Sequence, residues 1–181
     1  MTYTIDLAGK NALVMGVANQ RSISWSIADA LYKAGANVAF TYQTDRFKNE
    51  LEKLTAEQQN PLLIECDVSN EDTIASVFDT ISEQMGNLSI LIHGIAFARR
   101  EDISGKFSET SREGFLQALE RSAYSIVPIA KYASKLMEKD GGSIIAMTFQ
   151  ASEKVFPGYN VMGAAKAALE NSVRQLAVEF G

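Results

Sequence analysis

Five short apolar runs alternate with stretches of helical period along this chain, and that alternation narrows the fold more than any other feature of the sequence. Asn11–Met15, Val38–Tyr42, Leu62–Cys66, Leu88–His93 and Ser143–Met147 read as buried strands. Helices are expected over Ser24–Ala34, Arg46–Leu54, Glu71–Met85 and Arg112–Met137, with a kink at Pro128, and a last one from about Asn160 to Phe180. Gly35 and Gly86 close two of them, and Pro61 marks a turn. Residues 94–111 are mixed and read as loop-rich. Strands that alternate with helices build a parallel sheet with right-handed crossovers. The expected fold class is therefore α/β: a Rossmann-like, doubly wound parallel sheet flanked by helices on both faces. A chain of 181 residues is read as a single domain, 1–181.

Composition removes whole classes of function. A net charge of −5, without a block of like charges, argues against a nucleic-acid partner. No apolar run reaches the roughly 18 residues that a bilayer span needs. The stretch Met1–Lys10 does not read as a signal peptide. The single cysteine, Cys66, precludes a disulfide within the chain and reads as a small buried apolar residue. No metal site is expected, and the expected location is the cytoplasm.

In a doubly wound sheet, ligands sit at the carboxyl ends of the strands, where the strand order reverses. The first strand runs into Gly16, and a helix follows Ser22 and Ile23. The G-x-G-x-x-G text is absent. Even so, a glycine after a strand and open N–H groups at a helix start suit a pyrophosphate. An ordinary strand-to-helix turn with Ser22 as N-cap explains the same residues. Gln43 ends the second strand, where an adenosine ribose would lie, with Arg46 and Lys48 behind it. Asp67 and Val68 close the third strand, where they can meet an adenine ring; Asp67 is equally a turn residue. His93 ends the fourth strand as a packing residue, and Gly94 lets backbone approach a ligand closely.

Tyr159 and Lys166 are seven residues apart, near two helical turns, so both lie on nearly the same face. A lysine beside a tyrosine hydroxyl stabilises the phenolate, and the tyrosine can polarise a carbonyl. Taken alone, this spacing is common, and a rim aromatic with a solvated lysine is its more ordinary explanation.

The segments GVANQRSISW (Gly16–Trp25), FTYQ (Phe40–Gln43), CDV (Cys66–Val68), HGIAFA (His93–Ala98), REGF (Arg112–Phe115), AYS (Ala123–Ser125) and PGYNVMGAAKAALE (Pro157–Glu170) occur in that order. Together they resemble the enoyl-acyl-carrier-protein reductases of bacterial type II fatty-acid synthesis, a family within the short-chain dehydrogenase/reductases. The resemblance covers about Leu7 to Gly181, and its Y-x6-K spacing differs from the Y-x3-K of ordinary short-chain dehydrogenases. It implies a hydride transfer to the β-carbon of a trans-2-enoyl thioester on acyl carrier protein. The implied cofactor is NADH, with NADPH possible. Gly16, Ser22 and Ile23 would line the pyrophosphate, Gln43 the adenosine ribose, Asp67 and Val68 the adenine, and Gly94 and Ala96 the nicotinamide ribose. Lys166 would bind ribose hydroxyls, and Tyr159 the thioester carbonyl. Phe97, Phe149, Tyr159 and Met162 would form the substrate pocket, and a homotetramer is implied.

Three departures stand out. Relatives commonly carry a second tyrosine where this chain has Phe149. Arg121 stands where an apolar residue usually packs near adenine. Relatives also continue beyond the position of Gly181, so the chain is expected to lack the family's last two strands. Two alternatives stay open: a truncated or non-catalytic nucleotide-binding domain, and a short-chain reductase with another substrate.

Overall fold

A computed structural model describes residues 5–58 and 61–181. The first four residues of the Met1–Lys10 stretch, and two of the residues before Pro61, lie outside the described set. The chain divides into two compact units, Met1–Gly94 with Tyr132–Ile145, and Ile95–Lys131 with Ala146–Gly181.

The first unit is built on the sheet. Strands β1 (Asn11–Met15), β2 (Asn37–Tyr42), β3 (Leu62–Glu65), β4 (Ile90–His93) and β5 (Ser143–Ala146) follow the order β3-β2-β1-β4-β5. β1 pairs in parallel with β2 and with β4, and β2 with β3. The order reverses between β1 and β4, so the switch point lies at their carboxyl ends. All five β1 residues are buried, as in a central strand covered on both faces. Helices α1 (Ile23–Lys33), α2 (Asp45–Leu54) and α3 (Glu71–Met85) connect the strands. α3 shows why these segments are helical. Asn70 caps it by accepting from the Asp72 N–H at 2.9 Å. Glu71 and Asp72 sit in its first turn, and Ile74, Val77, Phe78 and Ile81 form one buried stripe. Gly86, at φ 82°, ends it in a conformation that costs side-chain-bearing residues strain.

The second unit holds residues 95–111, which contain the short helix α4 (Arg100–Ser104) and a 3-10 turn at Phe107–Glu109. α5 (Arg112–Leu119) follows. The long helix expected over Arg112–Met137 is interrupted: Glu120–Tyr124 is a π-turn, with the Ser125 N–H donating to the Glu120 carbonyl, before α6 (Ile126–Met137). Pro128 accounts for this, because it has no N–H for the Tyr124 carbonyl four residues back and its ring would crowd that oxygen. The last helix, α7, spans Asn160–Phe180, as the sequence predicts.

Candidate active site

At the switch point, Met15 of β1 is in register with His93 of β4, which sets Gly16 and Gly94 side by side. The Gly94 N–H donates to the Met15 carbonyl at 3.2 Å. A Cβ on Gly94 would fall 2.0 Å from Ser24 Oγ and 2.7 Å from the Met15 oxygen, so no side chain fits there. Gly16 turns the chain at φ 82°. Ser22 stands at the N-cap of α1, but its hydroxyl donates to the Asn19 carbonyl at 2.5 Å instead of capping the helix. The first turn of α1 thus keeps backbone donors and a positive dipole end for an anion, beside an exposed Ile23. This is the donor set a pyrophosphate requires.

Gln43 is exposed just beyond β2. The two cations behind it rest near aromatic rings: Lys48 Nζ lies 5.8 Å from the Tyr42 centroid, and the Arg46 guanidinium 6.0 Å from that of Phe47. Asp67 serves the turn after β3. Its Oδ1 accepts from the Ser69 N–H at 3.0 Å and from the Ser69 hydroxyl at 2.6 Å. Its backbone is pinned by Thr73, whose hydroxyl donates to the Asp67 carbonyl at 2.7 Å. Val68 follows, half-buried. Burial raises the Cys66 thiol to about 11, so it is inert at neutral pH.

In the second unit, Tyr159 precedes the first turn of α7 and Lys166 lies on that helix. Asn160, at φ 26°, bends the backbone between them, and its side chain donates to the Gly105 carbonyl. Lys166 is 4% exposed and donates to the Met147 carbonyl at 2.6 Å. An ammonium has three N–H donors, so others remain for sugar hydroxyls. Burial lowers its pKa, and Glu170 opposes that shift. Burial also raises the Tyr159 phenol above its ordinary range, so it is a proton donor at neutral pH. Phe149 lies between two rings, 4.8 Å from Phe156 and 4.9 Å from Tyr159. Its phenyl group supplies area without a hydroxyl.

Phe97 and Met162 meet at a residue the sequence reading passed over. Buried Ser122 accepts from the Phe97 N–H at 2.9 Å and lies 3.0 Å from the Phe97 carbonyl and 3.8 Å from Met162 Sδ. The π-turn places it there, and no spacing rule predicts that turn. Arg121, beside it, stacks its guanidinium 4.7 Å from the Phe97 centroid, and its buried Nε has no partner among the described residues. Ala96 is exposed. Among the described residues, no group of three or more histidine, cysteine or acidic side chains could hold a metal.

A family model described as enoyl-(acyl carrier protein) reductase matches residues 16–181. The NADH-dependent enoyl-[acyl-carrier-protein] reductase of Nostoc sp. is 48% identical over 180 residues, 98% of this chain and 69% of the relative. The NADPH-dependent one of Staphylococcus aureus is 44% identical over 179 residues, 98% of this chain and 70% of its own. Among solved structures, the Bacillus cereus enoyl-acyl carrier protein reductase with NADP+ and indole naphthyridinone superposes with a TM-score of 0.92 at 45% identity. It covers 96% of this chain, and this chain covers 68% of it. The Anaplasma phagocytophilum enzyme in complex with NAD gives 0.92 at 39% identity, over 97% and 67% of the two chains.

Proposed function

This chain belongs to the enoyl-acyl-carrier-protein reductase family, and from that premise we propose which of its residues carry the reaction. The protein is an NAD(P)H-dependent oxidoreductase of fatty-acid synthesis that reduces the double bond of a trans-2-enoyl thioester on acyl carrier protein. The bound nicotinamide supplies the hydride to the β-carbon.

In the first unit, the Gly16 turn and the open start of α1 at Ser22 and Ile23 hold the pyrophosphate. Gln43 meets the adenosine ribose, and Asp67 and Val68 the adenine. Gly94, kept bare by Ser24 and the Met15 carbonyl, lies at the β4 end toward the nicotinamide ribose. In the second unit, Ala96 and Lys166 meet ribose hydroxyls of the cofactor, with Lys166 held by the Met147 carbonyl. Tyr159 donates its phenolic hydrogen to the thioester carbonyl, where negative charge collects as the enolate forms. Protonation at the α-carbon completes the reduction. Phe97, Phe149, Tyr159 and Met162 shape the acyl pocket. Residues 1–181 act as one dinucleotide-binding domain.

The observation that carries this reading is a buried ammonium on α7, hydrogen-bonded to the Met147 carbonyl, with a neutral phenol at that helix's N-cap. Its test is thioester-dependent NADH oxidation, compared between the parent, Tyr159→Phe and Lys166→Ala. We assign the protein to the cytoplasm, in keeping with its single, buried thiol. We also propose a homotetramer built on its long helices, with two-fold axes; light scattering at micromolar concentration tests it.

A further inference from the structure

Lys166 does not hold its place alone. One helical turn further along α7, Glu170 sits with its side chain 20% exposed. Its Oε1 accepts from the Thr148 hydroxyl at 2.6 Å. Ser152 also hydrogen-bonds the carboxylate, and these two bonds hold it below the usual carboxylate range. Arg174 lies 3.5 Å away on its other side. Thr148 follows Met147, whose carbonyl accepts from Lys166, and Phe149 comes next. The 147–152 segment is therefore tied to α7 at two levels: by the Lys166 ammonium through Met147, and by the Glu170 carboxylate through Thr148 and Ser152.

We propose that Glu170 is a positioning residue: it clamps the 147–152 segment to α7 so that the Met147 carbonyl fixes the Lys166 ammonium for the cofactor ribose. This inference rests on the reading of Lys166 given above. A carboxylate that accepts two hydroxyl hydrogens holds a loop more strictly than apolar packing, because its bonds are directional and charge-assisted. The clamp also places a negative charge one turn from the ammonium, offsetting part of its burial. Without it, the Met147 carbonyl is free to drift, and Lys166 loses the acceptor that orients it. Such losses of orientation reduce binding even where every contact residue remains.

The test is a double-mutant cycle read by NADH affinity, measured from cofactor fluorescence on the parent, E170A, K166A and the double variant. If Glu170 acts through Lys166, E170A weakens NADH binding roughly tenfold, the scale of one charged hydrogen bond, and causes no further loss in the K166A background. An equal loss in both backgrounds marks general softening of the fold and overturns the inference, as does unchanged affinity in E170A. If K166A binds NADH as tightly as the parent, the reading of Lys166 itself fails and the clamp falls with it. T148V removes one tie and leaves the carboxylate in place, so it carries the test should E170A fail to fold. Weaker NADH binding is expected in the parent background and none in K166A; unchanged affinity in T148V overturns the clamp.

Discussion

Lys166 Nζ lies 2.6 Å from the Met147 carbonyl oxygen, across 19 residues of sequence. That bond joins the helix that carries Lys166 and is capped by Tyr159 to the segment carrying Phe149. It also orients an ammonium that burial has made easier to deprotonate.

A pH dependence follows. The folded pKa of Lys166 lies below its ordinary 10.5, so its charge is lost earlier as pH rises. NADH affinity should decline on the alkaline side with a midpoint below 10.5, and K166A should lack that limb. The stability contribution has the opposite sign. Between the lowered folded value and the unfolded one, the unfolded chain binds more protons, so this group's cost shrinks as pH rises. Cofactor titrations across pH check the prediction; a limb at or above the ordinary lysine value contradicts it.

Tyr159→Phe should lower turnover by on the order of a hundredfold or more while changing NADH affinity little. The phenol acts on charge that exists only in the transition state, whereas Lys166 also binds ground-state cofactor. Steady-state kinetics beside equilibrium NADH titration separate the two. Equal, small effects of Y159F and K166A would remove both from the mechanism.

NADH should bind more tightly than NADPH. Gln43 is neutral, and a 2′-phosphate calls for a charge-assisted, bidentate partner. Arg46 and Lys48 instead lie over the Phe47 and Tyr42 rings. Parallel titrations decide it, and NADPH affinity tenfold above that for NADH would show that one of these cations leaves its ring for the phosphate.

Gly94→Ala should cost about 1–3 kcal/mol of stability through overpacking. The new methyl group would meet the Met15 carbonyl at 2.7 Å, a backbone atom with little freedom to retreat, as well as Ser24 Oγ. Adding Ser24→Ala should recover only part of that loss. Urea unfolding gives the answer; a neutral G94A would show that the β4 end can shift.

Much of this was legible in the sequence. The strand–helix alternation yields the sheet, because central strands such as Asn11–Met15 are apolar after their first residue and glycines fall at the turns that follow. The Tyr159–Lys166 spacing puts Lys166 on the last helix and Tyr159 at its N-cap, one residue short of the shared face that the spacing predicts. What stayed hidden depends on contacts between distant residues. Asp67 Oδ1 is bonded to Ser69 and its backbone to Thr73, so the turn reading that the sequence left open holds for that oxygen. Ser122 reaches Phe97 from a π-turn upstream of Pro128, a feature that helical spacing does not announce. Glu170 carried a faint signal, one turn after Lys166 on the same face, but its partners Thr148 and Ser152 lie across a loop.

The most direct measurement is thioester-dependent oxidation of NADH by the protein, with a short trans-2-enoyl thioester, followed by loss of nicotinamide absorbance in the parent and in Tyr159→Phe. The expected result is oxidation only when the enoyl thioester is present, largely lost in Y159F although that variant still binds NADH. Oxidation that is independent of the thioester, absent from the parent, or unaffected by Y159F would contradict the assignment of Tyr159 as the residue that receives the developing charge.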